Sequence, residues 1–380
     1  MKNLLKKTKE KKTNNFLMII IALIIIWGVF TIITTGNYIS PRNISNLFRQ
    51  TAITGILAIG MSFIIISGEI DLSVGSQMAL IGGIAAILNV WFKISLPIII
   101  VLSLLLGIIF GGINGYWIAY KKVPSFIVTL AGLLIFRGIL IGITKGMTIA
   151  PISNSFKIIG QSYIPKTISY FLGIVIIVTT IIITFFKRKS KLEHELEVES
   201  KKIVLLKLIS FILMIIIFIF ILNSYAGIPT PVFITIILIG IFSYILNETV
   251  LGRVVYAIGS NIEAVKYSGI NVNKYKLYIF FINGILVAIG GLILTSRLGA
   301  GSVSAGTNAE LDAIASCVIG GASLSGGIGN ISGAILGALV MASLDNGMSM
   351  LSIGPAWQYI VKGSILLLAV YLDISSKNKK

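Results

Sequence analysis

Residues 252–276 read GRVVYAIGSNIEAVKYSGINVNKYK, a polar run that separates two long apolar segments. Ser260 and Glu263 fit the capping box, in which a serine caps the amide three residues on and the glutamate binds back to the serine amide. Gly269 stands where a helix ends in a left-handed turn. The run therefore predicts a helix of about two turns over residues 261–268. A helix this short is marginal alone, so packing on its own domain or on a partner must hold it.

The chain around this run has the composition of a membrane protein. Of its 380 residues, 56% are hydrophobic and 12% are charged, and the mean hydropathy is +1.00. Soluble domains are about half apolar and about a quarter charged. The formal net charge of +18 comes mostly from basic residues in short loops and at the two ends, which is the topology signal of a membrane protein. We therefore expect no nucleic-acid partner.

The residue types leave little for catalysis or metal binding. The single cysteine, Cys317, excludes an internal disulfide, and the single histidine, His194, lies in a charged loop. No G-x-x-x-x-G-K-[ST] phosphate loop occurs, because the glycine-rich runs that start at Gly252 and Gly299 lack the required lysine. We expect no catalytic residue, no metal and no cofactor bound by this chain, so that any ATP is used by a separate polypeptide.

The apolar segments predict an all-α transmembrane bundle of about ten to twelve spans, each needing roughly 20 mainly apolar residues. The candidates lie near residues 16–35, 50–67, 74–92, 97–119, 125–144, 167–186, 203–222, 229–248, 276–295, 309–324, 331–350 and 354–372. The tenth candidate is short and carries Glu310 and Asp312. We therefore expect broken or re-entrant segments near 68–75 and 309–328.

The Lys/Arg bias of the loops predicts the topology. Twelve crossings place the basic head 1–15, the linker 187–202, the polar loop 249–276 and the tail 374–380 in the cytoplasm, around a membrane domain of residues 16–373. The linker alternates its glutamates and does not line one helical face, which indicates a solvated connection. The four glutamates of the linker are Glu193, Glu195, Glu197 and Glu199.

Two segments share the pattern G-x-x-x-L-S-x-G, namely GEIDLSVG at residues 68–75 and GGASLSGG at residues 320–327. Internal repeats with interrupted helices recur in transporters. With 39 glycines in the chain, a chance match is as good an interpretation as a repeat.

Several separated motifs resemble the permease subunits of bacterial ABC importers. Glu263, Ala264 and Gly269 match the E-A-x-x-x-x-G pattern of the cytoplasmic region that meets the ATPase in that family. Other segments are similar to the ribose, xylose and galactose permeases: GRVVYAIGSN from Gly252, GEIDLSVGS from Gly68, the glycine-rich run 297–339, and WQYIVKGSILLLAVYLD from Trp357. The likeness covers most of the chain from about Asn43.

The chain also departs from the ribose-type relatives. The extra pair of spans near 167–186 and 203–222 looks more like the xylose or multiple-monosaccharide permeases. Glu69 replaces the second glycine of the family's G-G-I-D-L-S pattern, which weakens any transfer of substrate contacts. The resemblance implies import of a monosaccharide, with a pentose such as xylose favoured, across the bacterial cytoplasmic membrane by alternating access.

The resemblance also implies partners and site residues. The partners are a cytoplasmic ATP-binding-cassette ATPase, an extracytoplasmic sugar-binding protein and a second permease chain, expected to be identical. The residues expected to meet the ATPase are Arg253, Ser260, Asn261, Glu263, Ala264, Ser268 and Gly269. The candidates for the translocation pathway are Asp71, Ser73, Gly75, Asn114, Asn283, Ser304 and Thr307.

Other interpretations stay open at this point. Hydroxyl and amide side chains also join helices in membranes, and a capped turn at the membrane edge explains Asp71 as well as a pathway does. For Arg137 and Asp345 we favour a structural ion pair or an interfacial position. The alternative functions are an ion-gradient-driven secondary transporter, a receptor or scaffold, and an ABC permease for nucleosides or branched-chain amino acids.

Overall fold

The computed structural model describes residues 2–194, 198 and 200–378, and most of them are helical. Three glutamates of the predicted linker, Glu195, Glu197 and Glu199, lie outside the described residues. The helices are α1 Lys2–Ile33, α2 Pro41–Ile66, α3 Val74–Val90, α4 Leu96–Ala119, α5 Ser125–Thr144, α6 Asn154–Gln161, α7 Lys166–Glu193, α8 Lys201–Asn223, α9 Thr230–Glu248, α10 Val250–Ser260, α11 Ile262–Tyr267, α12 Val272–Leu298, α13 Ala309–Ile319, α14 Ile331–Met350 and α15 Pro355–Asn378. Two short strands, β1 Tyr163–Ile164 and β2 Ile228–Pro229, pair antiparallel.

The chain is a multi-pass, all-α membrane protein, as predicted. Within the described residues, ten helices are long and apolar enough to cross a membrane: α1, α2, α4, α5, α7, α8, α9, α12, α14 and α15. The other two predicted spans contain the shorter helices α3, with 17 residues, and α13, with 11. At about 1.5 Å per residue neither covers the roughly 30 Å of a bilayer core. The predicted interruptions near 68–75 and 309–328 are therefore present.

The two short helices are each joined to non-helical chain, and the two interrupted segments lie side by side. The segment that leads into α13 runs along α3, because a Cβ added at Gly301 would come 2.7 Å from the Cβ of Ala86. Five residues later, a Cβ added at Gly306 would lie 3.2 Å from the carbonyl carbon of Gly75, at the start of α3. The starts of α3 and α13 therefore meet inside the bundle.

The core of the bundle is built around α2 and α12. In their most apolar 18-residue stretches 83% and 61% of the residues are buried, against 11% in the corresponding stretches of α7 and α8. Glycines allow α12 to approach α4 closely. A Cβ added at Gly111 would lie 3.2 Å from the Cα of Gly284, so the two backbones are in contact. Such close contacts between small residues are the usual way in which helices associate in lipid.

The helix ends define two faces of the bundle. The C-terminal end of α2 lies beside α10. We call the side that carries α10 and α11 the elbow face, after the sharp junction between these two helices at residues 259–261. The N-terminal end of α2 lies with the end of α1, with α6 and with the β1–β2 pair. The C-terminal end of α12 lies on this second side, since the Gly160 amide of α6 donates to Ser296 Oγ over 2.7 Å. We call this side the opposite face.

Candidate functional site

The polar run at 252–276 folds as two short helices, α10 and α11, which meet at a sharp junction that we call the elbow, residues 259–261. The capping-box prediction is wrong. The amide of Ala264 donates to the Asn261 side chain over 3.0 Å, so Asn261 caps α11. Ser260 instead closes α10, and its hydroxyl donates to the Tyr256 carbonyl over 2.8 Å. Glu263 forms an ion pair with Lys266 at 2.6 Å.

The physical reason for the difference is the extra helix. Because α10 continues through Ser260, the Ser260 amide is inside a helix and is not free to receive Glu263. Helix α11 therefore spans only Ile262–Tyr267, six residues rather than the eight predicted. Its predicted end is correct, since Gly269 adopts the left-handed conformation with φ +79°.

The seven residues predicted to meet an ATPase share one property: each has an exposed side chain or backbone on the elbow face. These residues are Arg253, Ser260, Asn261, Glu263, Ala264, Ser268 and Gly269. The other side of the same segment is apolar and buried, with Val254, Ile258, Val265 and Val272 in one cluster. This cluster holds α11 against the membrane domain and leaves a polar surface open.

Tyr267 is a residue of this surface that the sequence reasoning missed. Its side chain is 89% exposed, beside the exposed Ala264 and Glu263. Tyrosine is enriched in the central contacts of protein interfaces, and an exposed ring at the end of a capped helix suits such a contact. The signal in the sequence was its position two residues after the buried Val265, which places it away from the apolar side.

The elbow makes direct backbone contacts with both interrupted segments. The amide of Gly327, in the loop after α13, donates to the carbonyl of Ile66 at the end of α2 over 2.8 Å. Gly259 lies against this pair, since an added Cβ would come 2.5 Å from the Gly327 nitrogen and 3.0 Å from the Ile66 carbonyl carbon. A Cβ added at Gly326 would lie 3.1 Å from the Cα of Gly68.

The two G-x-x-x-L-S-x-G segments therefore meet each other at the elbow, with the start of one beside the end of the other. Tyr256 of α10 adds a side-chain contact to the same loop, because its hydroxyl donates to the Gly329 carbonyl over 2.8 Å. Burial raises the pKa of the Tyr256 phenol, so the hydroxyl keeps its proton and remains a donor. Helix α10 is thus in direct contact with the end of α2 and with the loop after α13.

Four of the predicted pathway residues form one buried hydrogen-bonded network. The amide and the hydroxyl of Ser73 donate to Asp71 Oδ1 over 2.8 and 2.6 Å, and Asn283 donates to Asp71 Oδ2 over 2.8 Å. Asn114 donates to Ser73 Oγ over 2.9 Å. All four side chains are at most 2% exposed. In this conformation they join the interruption before α3 to α4 and α12, and a role in transport stays a prediction.

The other three predicted pathway residues lie elsewhere. Gly75 packs against Gly306 and the Glu310 carboxylate. Ser304 and Thr307 are exposed in the loop before α13, where the Thr307 hydroxyl donates to the Ser304 carbonyl over 2.8 Å. The structure thus groups Asp71 with Asn283 and does not bring Ser304 or Thr307 to them.

Several other charged groups at membrane depth have ionic or hydrogen-bonded partners. Lys362 of α15 lies 2.9 Å from Asp312 of α13 and 2.8 Å from Asp345 of α14, so one ammonium joins three helices. Lys276 of α12 forms an ion pair with Glu69. The glutamate that departs from the family pattern therefore has a charged partner in the structure. Arg137 donates to the carbonyls of Val303 and Ala305. Asp345 is thus ion-paired, whereas Arg137 binds backbone.

Residues 43–370 match the family described as Branched-chain amino acid transport system / permease component. The chain belongs to this permease family. The permease is 55% identical to the xylose transport system permease protein of Haemophilus influenzae, over 98% of this chain and 99% of the relative.

Two further relatives agree with this membership. The permease is 53% identical to the xylose transport system permease protein of Escherichia coli K12, over 95% of this chain and 92% of the relative. It is 36% identical to the ribose import permease protein of Haemophilus influenzae, over 95% of this chain and 93% of the relative. No solved structure matches the chain. The comparisons confirm the resemblance to sugar permeases drawn from the motifs.

Proposed function

We propose that this permease is the membrane subunit of an ATP-driven importer that carries xylose into a bacterial cell by alternating access. The observation that carries the proposal is the 53–55% identity to xylose transport permeases over nearly the whole chain. The ribose permease is less similar, at 36% identity. Xylose is therefore the first substrate to test.

A permease of this kind works with an ATPase and a substrate-binding protein. We place the ATPase on the elbow face, in the cytoplasm, and the sugar-binding protein on the opposite face. This orientation puts both chain termini in the cytoplasm, because α1 ends and α15 begins near the opposite face. The absence of a phosphate loop in the sequence means that ATP is hydrolysed by the partner. A second, identical permease chain completes the assembly.

The proposed mechanism starts at the exposed surface of α11. Closure of the ATPase on ATP displaces α11, and the buried apolar cluster around Val265 makes α10 move with it. Contacts at Gly259 pass the displacement to Ile66 and Gly327. Because these residues end α2 and follow α13, the interrupted spans around α3 and α13 are the parts that rearrange. The binding protein supplies the specificity for the sugar.

The test is uptake of radiolabelled xylose by proteoliposomes that contain the permease, its ATPase and its sugar-binding protein. We expect uptake that requires ATP and all three components, resists ionophores, and is competed by unlabelled xylose more strongly than by ribose. Uptake that persists without the ATPase and collapses with an ionophore would instead identify a secondary transporter. Competition by nucleosides or leucine, with none by xylose, would overturn the assignment of the substrate.

A further inference from the structure

The non-helical segment between α2 and α3, residues 67–73, is held by side chains of neighbouring helices. The Ile70 amide donates to Ser125 Oγ of α5 over 3.3 Å, and the Thr129 hydroxyl of the same helix donates to the Ile70 carbonyl over 3.3 Å. Backbone groups inside a membrane need such partners, because no water is there to replace them. The position of this segment therefore depends on the helices around it.

Helix α12 binds the same segment at two levels. Lys276 forms an ion pair with Glu69, and Asn283 donates to Asp71 Oδ2 over 2.8 Å. The two α12 residues are seven positions apart, which is two helical turns or about 10 Å along one side of the helix. Because α12 starts near the elbow face and ends at the opposite face, the ion pair lies on the elbow side of the contact with Asp71.

The ion pair lies between the polar elbow face and the buried network around Asp71. The side chains of Lys276 and Glu69 are 16% and 13% exposed, whereas Asp71 is 1% exposed. Water thus reaches the edge of the pair and does not reach the carboxylate two residues further on. In this conformation the bundle is closed over Asp71 on the elbow side.

The start of α12 is packed against α11. Val272, the first residue of α12, belongs to the same buried apolar cluster as Val265 of α11. Lys276 follows Val272 by four positions, which is about one helical turn. The exposed helix α11 and the residue that holds Glu69 are therefore joined through a single turn of α12.

We propose that Glu69 and Lys276 form a latch: their ion pair keeps the bundle closed over Asp71 on the elbow side, and displacement of α11 opens it by moving the first turns of α12. This inference rests on the proposed function and adds a second route to the glycine contacts of the elbow. Partial burial strengthens the attraction between the two charges. The latch requires the glutamate that stands where the family's pattern has its second glycine.

The first experiment measures xylose imported per ATP hydrolysed in proteoliposomes that contain the complete importer. We expect this ratio to fall by about fivefold or more in Glu69→Lys and in Lys276→Glu, and to return to within about twofold of wild type when both reversals are combined. The reason is that the ATPase still cycles while the elbow side no longer closes. The ratio does not depend on how much permease is folded, so a merely structural role of the pair leaves it unchanged.

The matched control is Lys122→Glu. Lys122 lies in the loop between α4 and α5 and donates to Asn273, in the first turn of α12, over 2.6 Å. Its reversal therefore removes another lysine contact to the start of α12 and leaves the Glu69 pair in place. We expect its ratio to stay within about twofold of wild type, since an exposed contact of this kind contributes little.

A second measurement asks whether the pair separates during transport. Cysteines replace Glu69 and Lys276, and a bifunctional methanethiosulfonate reagent joins them through disulfides that a reductant cleaves. We expect the cross-link to stop xylose uptake and the reductant to restore the untreated level. The controls are the two single-cysteine variants and the wild type, whose native Cys317 is buried. Their uptake is expected to be unchanged by the reagent.

An unchanged ratio in both single reversals, or no recovery when they are combined, overturns the latch. Full uptake by the cross-linked permease also overturns it, because a static strut does not have to open. A loss in Lys122→Glu as large as that in Lys276→Glu replaces the latch with a general effect of charge. A wild-type importer that shows no ATP-dependent uptake of xylose contradicts the proposed function itself.

Discussion

At the scale of single residues, the proposed coupling between the elbow and the membrane spans depends on backbone contacts that only glycine permits. Gly259, Gly326 and Gly327 bring the elbow, the end of α2 and the loop after α13 within van der Waals distance. Gly326 and Gly327 also adopt the left-handed backbone conformation, with φ +82° and +73°. Residues that have a Cβ atom rarely adopt this conformation. We propose that these positions transmit motion, because backbone meets backbone there with no side chain between the segments.

Substitution of Gly259 by alanine tests this proposal. The added methyl meets backbone atoms of Ile66 and Gly327, and overpacking of this kind costs about 1–3 kcal/mol. We expect xylose uptake to fall by about tenfold, the equivalent of 1.4 kcal/mol, while ATP is still hydrolysed. ATP hydrolysis and uptake are measured in the same proteoliposomes.

The control is Gly138→Ala in α5, where an added Cβ meets nothing within 4 Å. Alanine in place of a helical glycine is neutral or stabilising there, so uptake is expected to match the wild type. Equal uptake by Gly259→Ala and Gly138→Ala would refute a coupling role for the elbow.

At the scale of elements, α11 depends on its cap. With six residues it has too few hydrogen bonds to persist alone, and Asn261 supplies one of the missing acceptors. The sequence predicted where α11 ends and that it is exposed, because Gly269 is a strong local signal. It did not predict α10, because the polarity of the run concealed a helix whose apolar side packs against the bundle through Val255 and Ile258.

The cap yields a second prediction. Asn261→Ala removes the side-chain acceptor and costs about 0.5–2 kcal/mol of helix stability. We expect faster hydrogen exchange in residues 262–268 and weaker stimulation of the ATPase by sugar-loaded binding protein. Asn261→Asp retains an acceptor at the same position and is expected to restore both. Failure of the aspartate variant to differ from the alanine variant would argue against capping as the cause.

At the scale of the whole molecule, the fold is a bundle whose two interrupted spans adjoin each other and the elbow. The number and order of the spans followed from hydropathy, since each long apolar segment needs an internally bonded helix in lipid. Hydropathy did not predict the contact between the two interrupted segments. Gly68 and Gly326 are distant in sequence, and a glycine carries no side chain that would indicate which residue it contacts. The ion triad was also hidden: Asp312 and Asp345 were recognised separately, but their pairing with Lys362 depends on helix packing.

The triad gives a third prediction. Lys362→Met leaves Asp312 and Asp345 buried without a cation, and breaking a buried pair in this way costs about 3–5 kcal/mol. We expect a clear drop in the thermal unfolding midpoint of the permease in detergent. Restoring neutrality with Asp312→Asn and Asp345→Asn in the Lys362→Met background is expected to recover most of the loss. Lys166→Met, at an exposed lysine, is the control; a drop of the same size there would contradict a specific role of the triad.

The central claim is that the exposed surface of α11 is where the ATPase binds, and site-specific photo-crosslinking tests it most directly. A photoreactive amino acid replaces Ala264 on α11 or, as the control, Asn154 on α6, both exposed and on opposite faces of the bundle. In membranes that contain the complete importer, we predict a covalent adduct with the ATPase from position 264 and none from position 154. An ATPase adduct from position 154, with none from position 264, would contradict the account.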